Sequence, residues 1–224
     1  NETAKTLDKY RPTGGVRNFP GSTLYEDVYT YNDFVHRGTN KGLESRMKIT
    51  KKGVPYMVTE YNGHMYPTKK FDNEFHRVEH TKRHLNVQQY NHASNDIIGA
   101  IGWCMFDYNT HKDFGSGDRI CYHGVMDIFR IPKYAASVYG VNIDTPYLEV
   151  LSGLNIGEQE ASEIKEVYVM TNADFVRFKI NEDVIGDFYP NASEEYKDLP
   201  NPPVIIRDFI GNMIHENESY SKKD

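Results

Sequence analysis

Three short runs constrain this chain more than any other feature: Asp27-Val-Tyr-Thr-Tyr-Asn32, Val54-Pro-Tyr-Met-Val-Thr59 and Ile97-Ile-Gly-Ala-Ile-Gly-Trp-Cys-Met-Phe106. They are rich in apolar, β-branched and aromatic residues, and none alternates strictly between apolar and polar positions. Strands exposed on one face do alternate; strands buried on both faces read as these do. Between the second and third runs, residues 72–90 space Phe75, Val78, Leu85 and Val87 for one buried side of a helix. Strands alternating with helices imply a parallel sheet. Each run also ends in groups that can do chemistry: Asn32 and Asp33, then Glu60, then Asp107 and Asn109. In α/β barrels and open sheets, ligands bind at the carboxyl ends of the strands.

The remainder of the chain reads differently. Residues 1–141 carry 19 Lys/Arg against 15 Asp/Glu, a balance of +4; residues 142–224 carry 7 against 17, a balance of −10. Eight of the nine histidines fall in the first part. This shift predicts two domains, 1–141 and 142–224, joined near Asn142-Ile-Asp-Thr-Pro146. In the second part, Lys165-Glu-Val-Tyr-Val-Met170, a polar Thr171–Asp174, and Val176, Phe178 and Ile180 on one face predict an antiparallel hairpin. Asn181-Glu-Asp183 predicts the next turn. The pattern belongs to a β-sandwich segment.

Composition excludes several classes. With 38% hydrophobic residues and 17 glycines in 224, the chain is in the globular range, not that of disorder, collagen or coiled coil. Its apolar runs are far shorter than the roughly 18–20 residues a membrane helix requires. A net charge of −6 argues against a dedicated nucleic-acid binder, which needs a basic surface. Two cysteines, Cys104 and Cys121, are too few for a disulfide framework or a four-ligand zinc site and read as ordinary buried thiols. No charged-then-apolar signal segment opens the chain, so a cytoplasmic location is preferred to secretion of a longer parent. The sequons at Asn1, Asn191 and Asn217 are short enough to recur by chance.

Two local signals carry chemistry. His76-Arg-Val-Glu79-His80 matches the inverted zincin pattern H-x-x-E-H, and His84 continues the row at the next helical step. Such a helix face could hold zinc, with Glu79 as base. A solvated face studded with Arg77, Lys82 and Arg83 reads the same way, and a five-residue pattern in a histidine-rich chain carries little weight. Glu60 is the stronger candidate. It follows a strand-like run and precedes the loop Tyr61-Asn-Gly-His-Met65. A strand-end carboxylate beside Tyr61, His64, Trp103 and Tyr108 suits carbohydrate chemistry: aromatic faces stack on sugars and carboxylates serve as acid, base or nucleophile.

Longer stretches point further. Arg11-Pro-Thr-Gly-Gly-Val-Arg17, Glu26-Asp-Val-Tyr-Thr-Tyr-Asn-Asp-Phe34, Thr59-Glu-Tyr-Asn-Gly-His-Met-Tyr-Pro67 and the run from Gly102-Trp-Cys-Met-Phe-Asp-Tyr-Asn109 to Tyr122-His-Gly-Val-Met-Asp127, followed by Arg130 and Pro132-Lys133, resemble glycoside hydrolase family 2. Within it they are most similar to the β-galactosidases, in order and spacing across about residues 8–140. The resemblance implies a (β/α)8 TIM barrel flanked by immunoglobulin-like β-sandwich modules. This chain would supply the C-terminal half of the barrel, strands five to eight, followed by an incomplete sandwich segment.

The same resemblance implies Glu60 as catalytic nucleophile and Trp103 as the stacking surface for galactose. His123 stands where a relative has an asparagine near the sugar 6-hydroxyl, and His64 lies one step from a relative's active-site histidine. Asp107 and Asn109 complete the expected substrate-binding set. Phe34 stands where many relatives place a tyrosine beside the nucleophile, leaving Tyr29 or Tyr31 as partial substitutes. The family's acid/base is the Glu of an Asn-Glu pair after strand four. Asn1-Glu2 has those letters but lies too close to Arg11-Pro12 to leave room for the intervening helix. The acid/base is therefore expected outside this chain, which alone would be inactive. The activity implied is that of a retaining β-galactosidase cleaving terminal β-D-galactosides through a glycosyl–enzyme intermediate. No cofactor is required for that chemistry; a supporting Mg²⁺ or Na⁺ is left open. The implied partners are the galactoside, the rest of the parent enzyme and further copies in an oligomer, with neither nucleic acid nor membrane. A non-catalytic carbohydrate-binding or association module is the alternative, and a zinc peptidase the third reading.

Overall fold

The computed structural model describes residues 1–35, 42–114, 117–154, 166–190 and 195–209. The chain divides into two compact units, Asn1–Ala136 and Ser137–Asp224. Among the described residues no helix is long and apolar enough to cross a membrane.

The first unit opens with a short helix, α1 (Glu2–Leu7), followed by β1 (Tyr29–Asn32), α2 (Arg46–Ile49), β2 (Tyr56–Glu60) and the long α3 (Glu74–Ala93). Strands β1 and β2 run parallel, pairing Tyr29 with Tyr56 and Tyr31 with Val58. The parallel arrangement extends on both sides, through single bridges of Gly14 to Val28 and of Ala100 to Val58. The run 97–106 lies along β2: Ile98 N donates to Tyr56 O (2.9 Å), Val58 N to Gly99 O (3.0 Å), Ile101 N to Val58 O (2.9 Å) and Trp103 N to Tyr61 O (3.0 Å). It is not the regular strand its composition predicts. Gly99 and Gly102 interrupt it, and glycine in a strand interior weakens the ladder. The core beneath these elements comprises Tyr29, Leu43, Ile49, Tyr56, Val58, Tyr61, Val87 and Ile97.

Helix α3 begins at Asn73, whose side chain accepts from His76 N (2.9 Å), satisfying one of the unpaired amides of the first turn. Its buried side differs from the one its apolar spacing predicts. Phe75 is exposed and Val78 half-buried, whereas His80, Thr81, His84, Leu85 and Val87 are buried. The covered stretch is the middle of the helix, and there imidazoles fill the space: His80 and His84 pack edge to face at 5.0 Å, and Tyr61 lies 5.6 Å from His84. Gln88 fastens the helix to the strands, donating to the Tyr61 hydroxyl (2.7 Å) and to Ala100 O (3.3 Å). A small antiparallel ribbon follows, β3 (Tyr108–Asn109) with β4 (Ile120–Cys121).

The second unit contains α4 (Ser137–Gly140), β5 (Leu148–Val150), β6 (Val167–Thr171), β7 (Val176–Ile180), β8 (Asp183–Phe188) and β9 (Val204–Ile206). The hairpin expected from residues 165–170 and 176–180 does not form. Strand β6 lies between β5 and β9, antiparallel to both, while β7 pairs with β8. Every residue of β6 is buried, as its unbroken apolar sequence requires of a central strand, whereas β7 alternates half-buried and exposed positions. The turn at Asn181-Glu-Asp183 does form, with Asn181 in the left-handed region (φ 53°). Arg177 and Asp187 brace the ribbon with two hydrogen bonds of 2.7 and 2.8 Å.

Candidate active site

The carboxyl ends of β1 and β2 bring two chemically capable residues face to face. The ladder runs regularly to Tyr31–Val58, then skips Thr59, so that Asn32 pairs with Glu60. Asn32 Nδ2 donates to Glu60 Oε2 at 2.9 Å, and Thr59 Oγ1 donates to Asn32 Oδ1 at 3.0 Å. Asp33 N continues the pairing, donating to Glu60 O (2.8 Å). The Asp33 carboxylate turns away to accept from the amides of Val35 (3.0 Å) and Glu44 (2.8 Å), pinning the loop that leaves β1. Burial raises the Glu60 carboxyl above its ordinary range, and His64 acts in the opposite direction.

The loop after β2 turns sharply at Asn62 (φ 64°) and Gly63 (φ 53°). A side chain at position 63 would stand 3.1 Å from Trp103 Cδ1, so glycine serves both the backbone angle and the close approach of the indole. His64 then packs edge-on against Phe34, ring centres 4.8 Å apart. Phe34 thus fills its position with an apolar ring that offers no hydroxyl to Glu60.

Trp103 bridges Asn62 in parallel fashion, and the residue remains 41% exposed. An aromatic chain secures it. Trp103 Nε1 donates to the Tyr108 hydroxyl (3.3 Å), which lies 3.4 Å from His123 Nδ1. Phe114 meets His123 edge-on at 6.0 Å. Burial lowers the His123 imidazole below its ordinary value, with His64 and Lys133 adding to the effect, so it is held neutral. His64 thus acts electrostatically on both Glu60 and His123. Asn109 is exposed on β3, its backbone paired with Ile120.

Asp107 is a correction to the expected sugar-contacting set. Its side chain is 2% exposed, and Oδ1 accepts from Lys133 Nζ (2.6 Å) and Gly124 N (2.8 Å). Lys133, equally buried, also donates to Thr68 O (2.6 Å). Burial pushes the carboxyl up and the ammonium down, each resisted by the other. This pair ties three chain segments together from inside and has no face left for substrate.

The H-x-x-E-H row does not assemble a metal centre. Glu79 accepts from Arg83 (2.9 Å), and Arg83 lies over Tyr66. His76 stacks on Tyr66 at 4.3 Å, with Nε2 3.0 Å from Pro67 O, while His80 and His84 point into the core. Among the described residues no group of three His, Cys, Asp or Glu side chains could hold a metal ion. Both cysteines are free; burial pushes Cys104 up to about 11, where it is an inert thiol.

No family model matches the chain. A β-galactosidase from Thermoanaerobacterium thermosulfurigenes is 50% identical over 212 residues, covering 92% of this chain and 30% of that protein. β-Galactosidases from Thermoanaerobacter pseudethanolicus and Rhizobium meliloti are 43% and 36% identical, over 91% and 92% of the chain and 27% and 29% of their own lengths. Among solved structures, a putative β-galactosidase from Bacteroides fragilis superimposes with a TM-score of 0.68 at 17% identity, over 92% of this chain and 33% of that one. The chain is similar to β-galactosidases over nearly its whole length and shares their fold. The same fold is found in Bacteroides uniformis β-glucuronidase 3, with a TM-score of 0.62 and 17% identity over 92% of this chain and 29% of that one. The chain spans about 30% of the length of the curated relatives it matches.

Thr59 and Lys133 were given no role by the sequence, and Asn32 was read only as a strand-end group that can do chemistry. Asn32 stands at a strand end, a visible signal, but its pairing with Glu60 depends on a skipped residue that no local pattern announces.

Proposed function

We propose that the chain is the nucleophile-bearing stretch of a retaining β-galactosidase that acts on terminal β-D-galactosides. The observation that carries the reading is Glu60: a half-buried carboxylate at a strand end, oriented by an uncharged amide, with the exposed Trp103 bridged to Asn62 in the loop that follows. Strong similarity to β-galactosidases over nearly the whole chain supports it. In this reading residues 1–141 form the second half of a (β/α)8 barrel and residues 142–224 a β-sandwich segment. The parallel order of residue 14, β1, β2 and the run 97–106 supports the barrel.

The chemistry follows from the carboxylate. Glu60 attacks the anomeric carbon as the bond to the leaving oxygen breaks, forming a glycosyl ester. A second carboxyl, supplied by another part of the longer enzyme, protonates that oxygen. It then takes a proton from water, whose attack releases galactose and restores the Glu60 carboxylate. Retention requires the two carboxyls about 5–5.5 Å apart. Trp103 offers its face to the sugar ring, and neutral His123 is a hydrogen-bonding partner for a hydroxyl.

The test is to inactivate the longer enzyme with a 2-fluoro galactoside and locate the label by mass spectrometry. Label on Glu60 is expected; label on Glu74, Glu79 or any other carboxylate overturns the assignment. Sugar binding without any label would favour a non-catalytic module instead.

A further inference from the structure

We infer that Asn32 is a positioning residue for the Glu60 carboxylate, and that the Thr59 hydroxyl sets which end of the Asn32 amide faces it. The inference rests on Glu60 being the nucleophile.

An asparagine amide presents an acceptor at one end and donors at the other in nearly the same shape, so its orientation is fixed only by its partners. Glu60, when ionised, can only accept. The other end must then accept, and Thr59 Oγ1 lies 3.0 Å from Asn32 Oδ1 as donor. The relay runs one way: Thr59 hydroxyl to Asn32 carbonyl, Asn32 amide to Glu60 Oε2 at 2.9 Å. Asn32 is buried, so its own amide is largely shielded from solvent and depends on these two partners. Among the described residues this amide is the side-chain donor to the Glu60 carboxylate, and it engages Oε2, leaving Oε1 for attack. Among the described residues the titratable group acting on Glu60 is His64.

The choice of an amide has a chemical consequence. A lysine or arginine here would orient the carboxylate equally well but would draw off the electron density that attacks the sugar. Asn32 fixes the direction of the lone pair and leaves the charge largely intact. A hydrogen bond to the ionised form also favours that form, offsetting part of what burial does. The geometry is available because the ladder skips Thr59: one residue earlier in register, Asn32 would lie opposite Thr59 and could not face Glu60.

The experiment uses the longer enzyme, with 2-fluoro labelling of the unaltered protein as the check that Glu60 is the nucleophile. Asn32→Ala is expected to lower kcat about 100-fold, the order of loss that misplacement of a reacting group produces. KM should change little, and the acidic limb of the kcat/KM profile should move to higher pH, because the ionised carboxylate loses its donor. Thr59→Val should shift the same limb in the same direction by a smaller amount, and Thr59→Ser should restore it. The double variant should match Asn32→Ala alone, since the hydroxyl acts only through the amide. A merely structural role for Asn32 would lower the folded fraction without moving the acidic limb, and that result would overturn the inference. If Asn32→Ala does not fold, the Thr59 pair decides: an unmoved limb in Thr59→Val overturns it. Label on a residue other than Glu60 in the unaltered enzyme would instead show that the nucleophile reading has failed, and the inference with it.

Discussion

Glu60 closes β2 and Asp107 follows the run that lies beside it, and burial raises the carboxyl of each. Around Asp107 the chain has gathered a buried ammonium and a backbone amide, both on one oxygen. Around Glu60 it has placed a neutral amide, itself aimed by a hydroxyl. A carboxylate whose charge is met by a counter-ion becomes a tie between segments. One that is oriented without being neutralised keeps its basicity and an open oxygen. The difference lies in the partners, since the two residues share strand-end placement and the same direction of shift.

Exchanging the charge at each position breaks this comparison most directly. In the longer enzyme, Glu60→Gln should lower turnover by roughly 10⁴–10⁶-fold, as removal of a covalent nucleophile does, with azide restoring part of the rate. Its melting temperature should not fall. A carboxyl raised above its unfolded value binds protons more readily when folded, so its contribution to stability declines as pH rises through that interval. Replacing it with an amide at neutral pH removes that penalty. Asp107→Asn should do the reverse: urea denaturation should show about 3–5 kcal/mol lost, because Lys133 is left buried without its counter-charge. Asp107→Leu combined with Lys133→Met should lose less than Asp107→Asn alone. A stable Asp107→Asn with impaired turnover would erase the distinction drawn here.

Trp103→Ala should be milder than either, raising KM about 10-fold, the equivalent of about 1.4 kcal/mol of lost stacking. Azide should not rescue it, since a small nucleophile cannot replace an indole face. The smallest effect concerns His80, buried and held neutral well below its ordinary value by burial, with His84, Lys133, His76 and Arg83 opposing its charge. The unfolded chain takes up this proton near pH 6.5 and the folded one does not. Stability is thus complete above that pH and should decline by up to about 1.4 kcal/mol per unit as pH falls below it. His80→Phe should flatten that slope in denaturation measured from pH 7.5 to 5.5.

Much of this arrangement could be read before the structure. The runs at 27–32 and 54–59 became β1 and β2, and the helix read at 72–90 is α3, because buried strands and a capped helix leave marks within a few residues. Glu60 at a strand end and the nearby Trp103 and Tyr108 were visible for the same reason, whereas His123 was expected only from the resemblance. What escaped notice depends on distant partners. Lys133 meets Asp107 across 26 positions, and nothing beside either residue announces the other. The strand neighbours β6 and β7 went to different sheets because pairing is decided by which face is buried, not by proximity in the chain. The imidazoles of α3 resembled metal ligands in sequence because spacing along a helix says nothing of what covers it.

The skipped residue in the β1–β2 ladder bears on anyone who would transplant this nucleophile into another scaffold. A regular parallel pair built from the same side chains would carry Asn32 and Glu60 yet set them out of step, each facing the other's neighbour. The portable unit is therefore not a pair of residues but an irregularity: Tyr31-Asn32 on one strand against Val58-Thr59-Glu60 on the next, with the unpaired threonine included. A designer who idealised that kink away would obtain a tidier sheet and an idle carboxylate.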